Sequence, residues 1–214
     1  MRGIFITMEG PDGSGKSTQA QRLFKYLQEK GFEVILTREP GGTSVGEQLR
    51  GVLLNPKNST MSFKTEVLLY AAGRAQHLEE IIIPALKKGQ IVISDRFVDS
   101  SIAYQGYGRG LNLPLVAEIN MLVVESCLPD LTIFLDLPVE TGLARIHKKQ
   151  KTLDRMEQEA IAFHEKVYSG FKKLSSDEKR IKTVVADDSE DVIFAHIVKL
   201  VEEKMSDDNA LGNL

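Results

Sequence analysis

Short runs of apolar and β-branched residues alternate along the chain with longer amphipathic stretches. Five of these runs predict strands, at Ile4–Met8, Glu33–Thr37, Ile91–Ser94, Leu131–Leu135 and Lys182–Ala186. Strands that alternate with helices form right-handed βαβ units, which build a parallel sheet covered by helices on both faces. The pattern therefore predicts an α/β fold with a central five-stranded parallel sheet.

The amphipathic stretches have the spacing of helices that bury one face. Apolar residues recur at helical spacing after Lys16 and again between Val192 and Val201. No internal repeat and no linker rich in Pro, Gly or Ser divides the chain, so we interpret residues 1–205 as one domain. The polar segment Lys148–Asp154 and the tail 206–214 have the composition of mobile segments.

Composition narrows the class of protein. The 214 residues suffice for one sizeable core, and 42% hydrophobic with 27% charged residues is typical of a globular protein. A net charge of −3 gives no general attraction to nucleic acid or to an anionic membrane, so we expect neither as a partner. The single cysteine, Cys127, excludes an internal disulfide. With no signal-peptide pattern and no long apolar run, we expect a cytoplasmic protein.

One motif indicates a phosphate site. The stretch "GPDGSGKS" satisfies G-x-x-x-x-G-K-[ST] and lies between a predicted strand and a predicted helix. In this pattern Lys16 reaches the β- and γ-phosphates, and Ser17 places its hydroxyl on Mg²⁺. A glycine-rich turn without a ligand is the alternative, but the position favours a nucleoside triphosphate site. The residues expected around ATP are Gly10, Pro11, Asp12, Gly13, Ser14, Gly15, Lys16, Ser17 and Thr18.

A P-loop does not name a reaction, so the other motifs must decide. The N-K-x-D motif of GTPases and the L-S-G-G-Q motif of transport ATPases are absent from the sequence, which favours a small-molecule kinase. Four further clusters are "TREPGGT" (Thr37–Thr43), "LLYAAGRAQH" (Leu68–His77), "SDRFVDSSIAYQGYGRG" (Ser94–Gly110) and "LDRMEQE" (Leu153–Glu159). With these clusters the chain resembles the thymidylate kinases, P-loop enzymes that phosphorylate dTMP with ATP. The resemblance covers Ile4 to about Val201.

The resemblance implies roles for charged residues at strand ends. Arg38 and Arg96 would orient the acceptor phosphate of dTMP, for which a bidentate guanidinium is suited. Asp95 resembles a Walker B residue that holds Mg²⁺ directly or through water. Surface salt bridges for the two arginines, and a helix N-cap for Asp95, are the alternatives that the sequence leaves open.

The resemblance also implies a thymine and deoxyribose pocket. Tyr70 would stack on the base, where phenylalanine is more usual, and Arg74 would donate to a base carbonyl. Ser101, Tyr104 and Gln105 would line the pocket, with Tyr104 excluding a ribose 2′-hydroxyl by its bulk. The Gln105 amide can donate and accept, which fits the edge of a pyrimidine. Ordinary core packing is the alternative for Tyr70 and Tyr104.

Two variable positions of the P-loop refine this picture. The resemblance implies that Asp12 faces the 3′-hydroxyl of dTMP, although it could instead stabilise the turn. Gly13 stands where one form of the family has an arginine, so the other, typically bacterial form with a basic lid is implied. The basic residues of the predicted lid, about residues 145–155, are Arg145, Lys148, Lys149, Lys151 and Arg155. We expect Arg145 to bind ATP, and Lys149 and Arg155 to contact phosphate when a mobile lid closes; a solvated helix face is the alternative for the lysines.

The expected reaction is in-line attack of a dTMP phosphate oxygen on the γ-phosphorus of ATP with Mg²⁺ as cofactor. The acceptor is already ionised, so no general base is required. A deoxynucleoside kinase, a kinase for another nucleoside monophosphate and a nucleotide-gated regulatory module are the competing readings. The resemblance further implies a homodimer.

Overall fold

A computed structural model describes residues 2–149 and 152–211, without the side chains of residues 149 and 208–211. The described residues contain a five-stranded sheet in the order β2-β3-β1-β4-β5, in which every pairing is parallel. The strands are β1 Phe5–Glu9, β2 Val34–Arg38, β3 Ile91–Asp95, β4 Leu131–Asp136 and β5 Ile181–Val185. The predicted parallel α/β sheet is therefore confirmed.

Helices connect successive strands, and two of the helical stretches include π-helical segments. The helices are α1 Lys16–Glu29, α2 Ser44–Leu54, α3 Phe63–His77, α4 Ile83–Lys87, α5 Val98–Ser101, α6 Leu113–Val124, α7 Val139–Lys149, α8 Ile161–Asp177 and α9 Glu190–Leu211. The π-helical segments are Leu78–Ile82 and Ile102–Gly108, and a 3₁₀ turn covers Pro56–Asn58. No helix in the described part of the chain is long and apolar enough to cross a membrane.

Each strand ends one residue away from its predicted end, and the last residues of the strands contribute side chains to the site. The first four strands each run on to a charged residue at the carboxyl end: Glu9, Arg38, Asp95 and Asp136. Pairing continues there because the ladder uses backbone groups, whatever the side chain; Arg38, for example, is paired with Asp95. Charged side chains are thereby gathered along the carboxyl edge of the sheet.

Apolar side chains bury both faces of the sheet. On one face α1 and α9 pack against the strands, with Leu23 and Ile197 fully buried in this cluster. On the other face Phe5 meets Phe97 edge to face at 4.9 Å between ring centroids. Two-sided burial explains why the strands are continuous apolar runs rather than alternating ones.

Helix α8 lies unusually close to the π-helical segment Ile102–Gly108. A Cβ on Gly108 would lie 2.7 Å from side-chain atoms of Phe163 and of Val167, and one on Gly170 would lie 2.8 Å from the Tyr107 ring. These two glycines permit the approach, since a side chain at either position would meet the opposite element. The segment that carries Tyr104 and Gln105 is thus fixed by packing.

A buried carboxylate holds the turn after β3. Glu9 Oε1 accepts hydrogen bonds from the Phe97 backbone N–H at 2.8 Å and the Ser100 backbone N–H at 3.2 Å. Its Oε2 accepts from Ser100 Oγ at 2.6 Å. Within this turn Arg96 has a φ of 72°, a left-handed conformation that is uncommon for a residue with a side chain. Glu9 therefore stabilises the backbone that presents Arg96.

The segments predicted to be mobile contain regular structure where they are described. Helix α9 continues to Leu211, past the start of the predicted tail at Ser206. Helix α7 enters the predicted lid and ends at Lys149, after which residues 152–160 form bends and turns. Gln150, Lys151 and residues 212–214 lie outside the described residues, so mobility of the lid and of the tail stays a prediction.

The space around Gly108 and around Gly51 predicts opposite effects for Gly→Ala substitutions at these two positions. Gly108→Ala should destabilise the fold by about 1–3 kcal/mol, because the new methyl group overpacks the interface with α8. Gly51→Ala on α2 meets nothing within 4 Å and should stabilise the protein by roughly 0.5–1 kcal/mol. Urea denaturation of both variants measures this; equal effects in the two would contradict the packing argument.

Glu9 predicts a pH dependence of stability. Burial, with repulsion from Asp99, raises the pKa of Glu9 to about 7 despite Arg96 and the hydrogen bonds to Ser100 and Phe97. The folded protein therefore keeps a proton that the unfolded chain releases near its ordinary pKa of 4.5. As a result, the contribution of Glu9 to the free energy of unfolding falls as pH rises from about 4.5 to about 7.

Glu9→Gln should remove this loss. Between pH 5 and pH 8 the free energy of unfolding of the variant should therefore rise, relative to that of the wild type, by on the order of 1–3 kcal/mol. Denaturant titrations at the two pH values measure the difference. Glu29→Gln, at an exposed position on α1, is the matched control and should keep the wild-type slope. Parallel pH profiles for Glu9→Gln and the wild type would contradict the prediction.

Candidate active site

A cavity of about 800 Å³ opens at the carboxyl edge of the sheet, where open α/β folds bind ligands. The loop 12–18 lines it near one end, together with Arg145 and the start of α9. Toward the other end the predicted acceptor residues line the same cavity. They are Arg38, Tyr70, Arg74, Arg96, Ser101, Tyr104 and Gln105. The structure thus brings the predicted donor and acceptor residues together.

The P-loop has the backbone geometry of an anion site. Gly10, Gly13 and Gly15 have φ values of 144°, 77° and 92°, which favour glycine. Helix α1 begins at Lys16 without a side-chain cap. Its first N–H groups are therefore available to an anion, which the positive end of the helix dipole also attracts.

The loop contacts α7 backbone to backbone. A Cβ on Gly13 would lie 2.2 Å from the Gly142 carbonyl oxygen, and a Cβ on Gly142 would lie 2.3 Å from the Asp12 carbonyl oxygen. A side chain at either position would separate the loop from the helix. An arginine at position 13 is therefore incompatible with this packing, which agrees with the expectation that the lid supplies the positive charge.

Lys16 is buried beneath the loop. Its Nζ donates to the carbonyl oxygens of Gly10 at 3.1 Å and Pro11 at 2.8 Å. Burial, together with repulsion from Arg96, lowers the pKa of Lys16 to about 8, while nearby carboxylates such as Asp12 oppose the shift. The ammonium group is thus held under the loop, where the phosphates of a triphosphate would lie.

Ser17 and Asp95 form an oxygen pair that fits a hard cation. Ser17 Oγ donates a hydrogen bond to Asp95 Oδ2 across the gap between α1 and β3. Hydroxyl and carboxylate oxygens are the ligands that Mg²⁺ prefers, and Mg²⁺ usually keeps water and phosphate oxygens as its remaining ligands. The two residues predicted to hold the metal are therefore adjacent and chemically suited to it.

Asp12, Arg96 and Tyr104 form a triangle between the two halves of the cavity. Arg96 Nη2 donates to Asp12 Oδ1 at 2.5 Å, and Tyr104 OH donates to Asp12 Oδ2 at 2.7 Å. Burial alone would raise the pKa of Asp12, but the charges of Arg96 and Lys16 outweigh it and lower that pKa. Arg96 also donates to Ser100 Oγ at 2.9 Å. An ionised carboxylate thus fixes the guanidinium at the donor–acceptor boundary.

Arg38 lies at the exposed rim of the cavity. Its Nη2 donates to both oxygens of Glu47 at 3.0 Å. Arg50, one turn of α2 further on, donates from Nη1 to the Pro40 carbonyl at 2.9 Å and also lines the cavity. The sequence reasoning missed Arg50, although it follows "TREPGGT" on the adjoining helix.

Arg74 is fully buried and almost completely paired. Its Nε donates to Glu39 Oε2 at 2.8 Å, and its Nη2 donates to the Phe97 carbonyl at 3.1 Å and to Ser101 Oγ at 3.0 Å. Its Nη1 donates to Asn120 Oδ1. These bonds use four of the five N–H donors of a guanidinium. Glu39 and Asn120, which the sequence reasoning missed, therefore orient Arg74.

The aromatic residues and Gln105 complete the acceptor end. Tyr70 lies one turn before Arg74, and burial raises its pKa, so it is a neutral phenol. Burial likewise raises the pKa of Tyr104 well above its ordinary value. Gln105 is buried and donates from Nε2 to Glu66 Oε1 at 2.9 Å.

The lid residues are only partly placed. Arg145 on α7 lines the donor end of the cavity, with an Nη2–Asp187 Oδ1 distance of 3.9 Å. Lys148 is exposed near the end of α7. The side chain of Lys149 and all of Lys151 lie outside the described residues.

The side chain of Arg155 does not line the cavity in this conformation. We expected a phosphate contact when the lid closes; here the side chain is buried and donates to the Leu53 carbonyl from Nε and to Glu66 Oε2 from Nη1, both at 2.6 Å. Its neighbours Met156 and Glu157 line the cavity instead. The physical reason is the buried Glu66 carboxylate, which requires cationic partners.

Comparison with known proteins agrees with this arrangement and with a P-loop NTPase fold. The family model described as thymidylate kinase matches residues 8–197. The thymidylate kinase of Halothermothrix orenii is 50% identical over 204 residues, which cover 94% of this chain and 98% of that protein. The one from Lactobacillus delbrueckii subsp. bulgaricus is 51% identical over 205 residues, covering 94% and 97%.

A solved structure is also similar. The crystal structure of thymidylate kinase from Ehrlichia chaffeensis matches with a TM-score of 0.76 and 34% identity, covering 94% of this chain and 99% of that chain. Family model, relatives and structure agree over most of the length. This chain belongs to the thymidylate kinase family.

Proposed function

We propose that the protein transfers the γ-phosphoryl group of ATP to the phosphate of dTMP, giving dTDP and ADP for dTTP synthesis and DNA replication. The observation that carries this proposal is one cavity that joins a P-loop to a pocket with arginine, aromatic and amide side chains. Family membership supports the same reaction.

At the donor end, the loop and Lys16 bind the triphosphate. The N–H groups at the start of α1 and the ammonium of Lys16 stabilise the negative charge that develops during transfer. Ser17 and Asp95 would hold Mg²⁺, which neutralises phosphate charge when it is bound. Arg145 lies beside the donor end and is proposed to contact ATP.

At the acceptor end, Arg38 and Arg96 hold the phosphate of dTMP. Arg96 is already oriented by Asp12 and Ser100, and its Nη groups also donate to the Gly10 carbonyl and to Tyr104 OH. The dTMP phosphate would replace some of these acceptors when it binds. The other carboxylate oxygen of Asp12 lies beside Tyr104 and is proposed to approach the 3′-hydroxyl of the sugar. A phosphate oxygen is the nucleophile, so no side chain has to remove a proton.

The base lies among Tyr70, Arg74 and Gln105. Tyr70 stacks on thymine, the remaining N–H of Arg74 Nη1 donates to a carbonyl, and Gln105 contacts the N3 edge. Ser101 is a hydrogen-bond partner of Arg74. Tyr104 lines the same cavity and is proposed to exclude a 2′-hydroxyl by its bulk.

The lid completes the site by excluding water, which prevents ATP hydrolysis. A phosphate contact by Lys149 stays a prediction. For Arg155 such a contact stays a prediction for a conformation in which it leaves Glu66. A cytoplasmic location and the lack of a nucleic-acid or membrane partner also stay predictions.

We further propose a homodimer formed through α2, α3 and α6. These helices pack side by side, and each leaves an apolar side chain exposed on the outside. Val52 is 43%, Leu68 55% and Leu122 80% exposed. Exposed apolar patches of this kind mark interaction surfaces, and a second copy of the chain presents the same patch.

Lys16→Met tests the donor site. We expect kcat/KM for ATP to fall about 100-fold or more, because a positive charge at the transferred group is lost. A coupled ADP-release assay with dTMP, thymidine, dUMP and dCMP measures the rate and identifies the acceptor. Lys25→Met, at an exposed position on α1, is the control and should keep wild-type kinetics. Wild-type turnover by Lys16→Met, or activity with thymidine but not dTMP, would refute the proposal.

The double variant Leu68→Glu/Leu122→Glu tests the dimer. It should be a monomer by light scattering, whereas the wild type should have twice that mass, because burying four carboxylates in one interface is unfavourable. Val185→Glu, at a residue 62% exposed on β5, should stay dimeric. A monomeric wild type would disprove the proposed interface.

A further inference from the structure

A carboxylate outside the predicted site controls the contacts of Gln105. Glu66 lies on α3 one turn before Tyr70, and its side chain is fully buried. Its Oε1 accepts from Gln105 Nε2 at 2.9 Å and from Arg109 Nε at 3.1 Å. Its Oε2 accepts from Arg109 Nη2 at 3.1 Å and from Arg155 Nη1 at 2.6 Å. Four N–H donors therefore converge on one carboxylate.

Glu66 is ionised, and this decides what it can bind. Burial alone would raise its pKa, but the hydrogen bonds from Arg109 and Gln105 and the charges of Arg109 and Arg155 outweigh burial and lower the pKa. An ionised carboxylate only accepts hydrogen bonds. The group that Gln105 presents to it must therefore be the NH₂ group of the amide.

The orientation of the Gln105 amide follows from this pairing. A glutamine oxygen and nitrogen are often hard to distinguish, but here the acceptor-only partner determines which one faces it. With Nε2 committed to Glu66, the carbonyl oxygen is the group left for a ligand. Gln105 lines the cavity, and no side chain among the described residues donates to its Oε1.

An acceptor at this position discriminates between pyrimidines. Thymine carries an N3–H donor, whereas cytosine carries an unprotonated N3 acceptor, and two acceptors facing each other in a buried site leave both unpaired. We propose that Glu66 is a positioning residue that selects thymine over cytosine by fixing the Gln105 amide. This inference rests on the proposed contact between Gln105 and the base.

Glu66 also pairs with two arginines, so the test must separate specificity from stability. Glu159 offers a matched control, because its Oε1 accepts from Arg109 Nη1 at 2.5 Å without a contact to Gln105. Glu159→Gln therefore weakens an ion pair with the same arginine while the amide of Gln105 keeps its orientation.

The experiment compares kcat/KM for dTMP with kcat/KM for 5-methyl-dCMP, which keeps the methyl group and changes the N3 edge. The glutamine in Glu66→Gln can donate to Gln105 Oε1. The amide of Gln105 can therefore rotate by about 180° and present its NH₂ group to the base. We expect the dTMP preference to fall at least about tenfold in Glu66→Gln, with the KM for ATP unchanged. In Glu159→Gln the preference should stay within about twofold of the wild-type value.

A swapped pair keeps the test decisive if Glu66→Gln does not fold. In Glu66→Gln/Gln105→Glu, the new glutamine donates to the new carboxylate, whose second oxygen can only accept from the base. The variant keeps the net charge of the cluster, and it should retain the dTMP preference. An unchanged preference in folded Glu66→Gln, an equal loss in Glu159→Gln, or a lost preference in the swapped variant would overturn the inference.

Gln105→Leu separates this inference from the proposed function. If Gln105→Leu raises the KM for dTMP while Glu66→Gln leaves the preference unchanged, only the role of Glu66 fails. If Gln105→Leu keeps the wild-type KM for dTMP, the base contact and the role of Glu66 both fail. A wild-type protein inactive on dTMP would instead refute the proposed reaction.

Discussion

The pairing of buried carboxylates is the interaction on which the rest of the site depends. Glu9, Glu39 and Glu66 all lie under or beside the cavity with 6% exposure or less. A buried carboxylate without partners would be strongly destabilising, so each collects N–H donors. Glu9 binds the turn after β3, Glu39 binds Arg74, and Glu66 binds arginines and an amide. The positions of the donors follow from these pairings.

This arrangement prepares the site before a substrate binds. Arg74 and Arg96 each make several hydrogen bonds within the protein, so their guanidinium groups do not have to be ordered at the moment of reaction. The same pairing limits what each arginine offers, and Arg155 is directed to Glu66 rather than to the cavity. Charge pairing thus decides which cations act on substrates and which support the fold.

The fold and the phosphate site were largely predictable because their signals are local. Apolar runs specify the strands, and the P-loop glycines specify a backbone shape within eight residues. The family resemblance supplied the acceptor residues, and the structure brings those residues to one cavity. Strand ends shifted by a residue because backbone pairing continues through polar side chains such as Arg38 and Asp95.

The sequence by itself determined the sheet, the phosphate loop and the identity of the acceptor side chains. Only the tertiary structure decided their partners, because those partners come from distant segments: Glu39 for Arg74, Glu66 for Gln105, and the backbone of Gly142 for Gly13. Hydrogen bonds and ion pairs act over a few ångströms in space, whatever the separation along the chain. Periodicity and motif spacing do not predict such contacts, so only the tertiary structure identified Glu66 as the partner of Arg155.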